Sequence, residues 1–323
     1  MQIINHEYLA RAAADTHRAL AMERLWGPIL GGKRKIRPGW KNFKNLRRRS
    51  LGEIGPFHSK HYQPANAVLA VISQFGPKEL SEHLEDRIKA RADSLPSTPP
   101  PEAGSARTIP SLVVFQHMSQ QTSVQVIYHY RPVSRYPLPA IELLNDSLGG
   151  GPHSSLFRAI RLEHKLAYQV GSQMLTFSEC GILVANALVP RKMVRNVLKM
   201  LLTEFQQLGT QGMPRKTFDD ARTRLMQRFE MLEEEWSALT KFLAIEYRGD
   251  ADAPIPTPQS YLQQLETLDF DAFNHLVREL LAKENRVVVL SGRITPLTRW
   301  RIKRLIRSHI EEHGTRTQVK RPH

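Results

Sequence analysis

Apolar positions along the chain recur with two periods, and the switches between them mark the elements. Over 3–26, Ile4, Leu9, Ala13, Leu20 and Leu25 fall along one side of a predicted helix, which Gly27-Pro28 and Gly31-Gly32 end. A short helix begun at Ser50 is expected between Leu46 and Tyr62, and an amphipathic helix over 77–92. Between them Ala67-Val68-Leu69-Ala70-Val71-Ile72 is an unbroken apolar run, the pattern of a buried strand. Residues 94–110, rich in Pro, Ser and Thr, read as a linker. Strands are expected at 112–117 and 124–130, then a helix over 137–148 leading into Gly149-Gly150-Gly151.

Three glycines free the backbone there from Cβ sterics, and Ser154-Ser155 suit the cap of a following helix with Leu156, Phe157 and Ile160 at helical spacing. A strand begins within 166–170, a second covers 182–188, and a helix covers 190–208. A long helix over about 215–247 carries Phe218, Leu225, Phe229, Leu232 and Trp236 on one face, which reads as core. After a loop over 250–258 come a helix at 271–283, a buried strand at 287–290 and a last helix at 296–313. Strands arrive as hairpins and helices in groups. The class is therefore α+β, an antiparallel or mixed sheet covered by helices.

Composition narrows the functional classes. Apolar residues make up 41% of the 323, enough for a folded chain. A lone cysteine, Cys180, excludes a disulfide framework and a Cys-based zinc finger, and reads as a buried small residue. No run approaches the ~18 apolar residues of a membrane span. Residues 1–11 lack the apolar stretch of a signal peptide, so a cytoplasmic setting without membrane contact is expected, with an organelle or periplasm left open. The net charge of +15 is uneven. Residues 33–49 hold many Lys and Arg and no acid, and a second basic block runs from Arg299 through Arg307 into Arg316, Lys320 and Arg321. Trp40 and Phe43 interleave with the first block, as in nucleic-acid patches, but no helix-turn-helix, RNA-recognition or zinc-finger signature accompanies either. Nucleic acid is disfavoured as a partner.

The glycine loop followed by SSLFRAIRLEHKLAYQVGS resembles the C-terminal-domain signature of the pitrilysin/insulinase family of zinc metallopeptidases. HYQPANAVLAV at 61–71 resembles the final strand of that family's preceding domain, and 286–292 the closing strand of the second. The resemblance covers roughly 45–312. It implies paired α+β domains built into a half-shell, two of which enclose a peptide chamber. One half of such a pair carries an inverted H-x-x-E-H zinc motif with a distal Glu ligand. The other supplies an Arg and a Tyr, eight positions inclusive, that hold substrate backbone. Here that pair maps onto Arg161 and Tyr168, with Gly149, Gly150, Gly151 and Ser154 as substrate-binding loop residues. The resemblance further implies that the chain begins after the zinc-bearing segments. Residues 1–95 would be a truncated remnant of a first peptidase-like domain, 96–110 the linker, 111–313 the peptidase C-terminal-like domain and 314–323 a basic tail.

His309-Ile310-Glu311-Glu312-His313 matches H-x-x-E-H letter for letter, but only ten residues follow and none is acidic, so a third ligand is missing. Arg161-Leu162-Glu163-His164 has Ile160 where a first His would stand. No metal is therefore assigned to this chain, and zinc is expected in a partner. The leading expectation is a non-zinc subunit of a two-part peptidase that acts on unfolded peptide with a zinc-bearing chain of the same family. A catalytically inert scaffold subunit of the same fold is the alternative, with a basic nucleic-acid-associated protein third.

Overall fold

The computed structural model describes residues 50–63, 67–85, 111–116, 120–131, 136–176, 180–232, 234–246 and 257–311. The expected helix at 3–26, the basic block at 33–49, the linker and the tail lie outside the described residues. In chain order the elements are α1 (Leu51–His61), α2 (Pro77–Glu85), β1 (Leu112–Gln116), β2 (Gln121–Tyr130), α3 (Leu138–Gly149), a π-helical segment (Phe157–Glu163), β3 (Gln169–Thr176) and β4 (Gly181–Pro190). A 3₁₀ turn (Arg191–Met193) then leads into α4 (Val194–Gln211), followed by α5 (Arg215–Leu232), α6 (Trp236–Glu246), α7 (Pro258–Glu266), α8 (Phe270–Leu280), β5 (Arg286–Gly292) and α9 (Pro296–Glu311). They divide into two compact units, one with its described residues within Gly104–Leu225 and Thr267–His323, the other within Gly39–Ala103 and Met226–Glu266.

The first unit is built on one mixed sheet of strand order β1-β5-β2-β4-β3, with β1 parallel to β5 and the other pairs antiparallel. Period-2 patterning divides β2 between two faces. Val124, Val126, Tyr128 and Tyr130 are buried on one, where α4 packs and Phe205 meets the Tyr128 ring at 4.8 Å. Ile127 joins Phe115, Cys180, Ile182, Val184, Val287 and Val289 in a cluster on the other, so Cys180 is the buried small residue expected. β5 sits between β1 and β2, which is why its valines form a continuous apolar run. α8 is capped by Asp269, whose carboxylate accepts from Ala272 N–H at 2.8 Å, and it packs on α4. The mixed α+β class is as the pattern predicts.

Burial and, after it, the charge of Arg131 hold the His129 imidazole on β2 below its ordinary pKa. As pH falls below about 6.5 the unfolded chain therefore takes up the proton first, and stability declines until the folded value is passed. Urea midpoints should drop more between neutral and mildly acid pH for the wild type than for His129→Gln. Equal drops would show that His129 does not carry the linkage.

In the second unit, Ser50 N–H donates to Glu53 Oε2 at 2.9 Å, closing the start of α1 where the sequence places it. The Phe229 ring stacks on Tyr261 at 3.7 Å, with Phe242 edge-on at 5.6 Å.

Several expectations need correction. The run at 67–72 is not a strand, and Val68, Leu69 and Val71 are exposed. A strand needs a ladder partner, and the described residues of this unit contain none. The long helix is two, α5 ending at Leu232 and α6 beginning at Trp236, with Glu234 and Glu235 just before α6, where carboxylates suit the positive end of a helix dipole. Phe218, Leu225 and Phe229 of its aromatic face are buried, whereas Trp236, beyond the break, is exposed. Helix α7 falls just after the expected loop and was not anticipated, because its nine residues carry too short a period to stand out.

Candidate functional site

The site grows from the end of α3. Gly149 closes that helix against β3: a Cβ on Gly149 would lie 2.2 Å from Ser172 N and 2.6 Å from the Gly171 carbonyl carbon. Only glycine lets the two backbones come this near. Ser172 Oγ ties the same junction by donating to Asn145 Oδ1 at 2.7 Å. At Gly150 an added Cβ would stand 2.7 Å from Asp146 Cα, whereas at Gly151 its nearest atom would be His153 Cε1 at 3.2 Å. Ser154 is wholly buried, and its hydroxyl donates to the Gly151 carbonyl. Its side chain thus closes the loop internally. The glycines have a packing reason, which the sequence alone expressed only as backbone freedom.

An ion pair between buried Asp146 and half-buried Arg224 anchors the loop from behind. Asp146, 7% exposed, accepts from Arg224 Nη2 at 2.9 Å and Nε at 3.1 Å, with His153 Nε2 at 3.3 Å from the same oxygen. Arg224 comes from α5, far along the chain, and no spacing signal links it to Asp146. Truncating one partner leaves the other charge buried, so Arg224→Ala should cost about 3 kcal/mol. The shift in urea midpoint at unchanged m measures it, and a shift within error would mean that the pair contributes nothing.

The next turn is wound as a π-helix rather than the α-helix expected, with His164 N–H donating to the Ala159 carbonyl five residues back at 3.1 Å. Such segments recur at functional sites because the extra residue per turn re-aims side chains. Lys165 follows with φ +50°, a left-handed conformation that costs a non-glycine residue about 1–2 kcal/mol. Together they turn the chain back into β3, which begins at Gln169, one residue after Tyr168.

This path brings the two sequence-predicted residues together. The Arg161 guanidinium lies 4.7 Å over the Tyr168 ring and 4.8 Å over the Phe157 ring, between two aromatic faces. Tyr168 is 81% exposed, and its hydroxyl has no hydrogen-bond partner among the described residues. Phe157, one side of this sandwich, is placed by the sequence only at helical spacing with Leu156 and Ile160; its i, i+4 spacing to Arg161 is the signal that marks it. The pair stands at the start of β3, an edge strand that pairs with β4 on one side and with no other strand among the described residues.

Among the described residues, no group of three or more His, Cys, Asp or Glu is placed to hold a metal ion. Of the motif at 309–313, the ring of His309 is hydrogen-bonded to the Leu305 carbonyl at 3.1 Å, and His313 lies outside the described residues. None of the described helices is long and apolar enough to cross a membrane.

Residues 50–225 match the family described as the peptidase M16 inactive domain. The chain belongs to that family, and the sequence resemblance to the pitrilysin/insulinase metallopeptidases is borne out. It is 28% identical over 166 residues to an uncharacterised zinc protease of Streptomyces coelicolor, covering 50% of this chain and 36% of the relative. A zinc protease of Mycobacterium leprae is 25% identical over 74% of this chain and 54% of its own. This chain thus spans from about a third to about half of these two relatives. Among solved structures, a peptidase M16 inactive domain from Pseudomonas fluorescens superposes with a TM-score of 0.71 at 20% identity, covering 91% of this chain and 70% of that one. A chain of Candida albicans complex III gives 0.72 at 15% identity, over 95% and 73%. The first half of the periplasmic protease PqqL of Escherichia coli gives 0.68 at 13% identity, over 100% and 71%. These likenesses show the fold.

Proposed function

We propose that this chain is the non-zinc member of a two-part peptidase and lends a substrate clamp to a zinc-bearing partner of the same family. The observation that carries the reading is the Arg161–Tyr168 pair. A guanidinium stacked on a phenol fixes the ring, while the phenol's hydroxyl stays unspent at the mouth of an open sheet edge. An unfolded peptide can add to β3 through backbone hydrogen bonds, with the Gly149–Ser154 loop as the wall beside it. Tyr168 O–H then donates to the scissile carbonyl oxygen as negative charge builds there, and Arg161 N–H groups donate to adjoining carbonyls. Zinc, held by the partner, would supply the activated water.

The test mixes this chain with a zinc-bearing homologue. The expected result is association of the two and cleavage of an unfolded peptide that neither chain performs alone. No association and no cleavage would sink the proposal. A second reading, an inert scaffold subunit, draws on the likeness to a complex III chain. It expects full activity of the parent assembly after Arg161 and Tyr168 are both replaced.

A further inference from the structure

Beyond the clamp, a basic cleft lies at the same end of the sheet. Register places it there. Gln169, the first residue of β3, pairs with Leu188 on antiparallel β4, and β4 ends at Pro190 opposite Gln121 of β2. Tyr168 immediately precedes the first of these pairs, so the residues that follow Pro190 leave the sheet at the end where the clamp stands. Those residues are Arg191, Lys192, Arg195 and Asn196. With Thr298 and Arg301 of α9 they line an open cleft of about 700 Å³. Its four cations come from two separate parts of the chain. They are exposed, and none is paired with a carboxylate among the described residues. The surrounding sequence reinforces the sign, since neither 190–203 nor 293–310 contains an Asp or Glu.

We propose that this cleft is a specificity subsite that takes acidic side chains of the extended peptide held at β3. The inference rests on the reading that Arg161 and Tyr168 hold peptide backbone. Adjacent strands are about 4.8 Å apart and alternate side chains of an extended chain share a face. A peptide on the β3 edge lies two such spacings, about 10 Å, from β4, a gap that the long Arg191 and Lys192 side chains and an acidic side chain of the peptide span together past the end of β3. Arginine forks fit carboxylates with two parallel hydrogen bonds, which a neutral amide cannot match. The substrate class that follows is an unfolded polypeptide with Asp or Glu a few residues to one side of the bond held at Tyr168. Trp300, 58% exposed on α9, could instead stack a nucleic-acid base, with the same cations on phosphates. The neighbouring open strand edge favours the polypeptide, because only a peptide backbone can continue the ladder of β3.

The test uses this chain alone and two fluorescein-labelled unstructured peptides, one ending in a run of glutamates and one with glutamines in their place. At low ionic strength the glutamate peptide should bind about tenfold more tightly, the sum of a few partly screened ion pairs. Arg191→Gln, Arg195→Gln and Arg301→Gln together should abolish that preference and leave glutamine-peptide affinity unchanged. Tyr168→Ala, which reports on the clamp itself, should weaken both peptides alike. Equal affinity for the two peptides, a preference that survives the triple substitution, or no binding of either peptide overturns the subsite. So does tighter binding of a single-stranded oligonucleotide that is lost in the same triple variant. A clamp failure is distinct: the glutamate preference persists while Tyr168→Ala changes neither affinity.

Discussion

Replacing Tyr168 by Phe should lower peptide hydrolysis by the mixed chains about 10²–10³-fold. The substitution removes one oxygen from a side chain that is already exposed and has no hydrogen-bond partner among the described residues. Stability should therefore stay within about 0.5 kcal/mol of wild type. The ring remains, so Arg161 keeps its stacking surface and peptide affinity changes little. The loss falls on kcat, because the hydroxyl acts only as charge develops on the carbonyl oxygen. A steady-state comparison at saturating peptide measures it. A change confined to KM would mean that Tyr168 binds ground-state peptide and takes no part in the reaction.

Gly149→Ala should be the most damaging single change to the scaffold of the site. The new Cβ would sit 2.2 Å from one backbone atom and 2.6 Å from another, and neither belongs to a side chain that can swing away. Either α3 or β3 must shift. A cost of about 3 kcal/mol is expected, at the upper end for overpacking. Gly151→Ala is the internal control: its nearest neighbour is the movable ring of His153 at 3.2 Å, so the cost should stay below about 1 kcal/mol. Urea midpoints of the two variants decide the matter. A Gly149→Ala chain as stable as wild type would mean that the α3–β3 junction has slack the packing does not show.

Much of this site was legible in the sequence because its signals are local. The glycine triplet, the serine pair, and the eight-position spacing of Arg161 and Tyr168 all lie within one short stretch. The order of strands and helices around them follows from periodicity. What escaped was set by distant partners or by backbone winding. The Asp146–Arg224 pair joins two helices with no pattern between them, and the basic cleft joins the end of β4 to α9. Neither the π-helix nor the left-handed Lys165 has a residue signature, since both are imposed by the return of the chain into β3. The apolar run at 67–72 misled for the opposite reason. Its composition suits a strand, but strand formation depends on a neighbour that composition does not supply.

The proposed clamp also separates binding from chemistry in a way the second reading does not share. An inert scaffold needs only the fold, and the fold rests on Gly149, Asp146 and the sheet core. A clamp needs half-buried Arg161 and exposed Tyr168 as well. The sharpest measurement titrates a chain carrying Arg161→Ala and Tyr168→Phe into an active mixture of wild-type chain and zinc-bearing partner. The variant keeps the surfaces that associate but lacks the donors, so hydrolysis should fall in proportion as it displaces the wild type. Undiminished hydrolysis with the variant bound in place of the wild type would contradict a catalytic contribution from this chain.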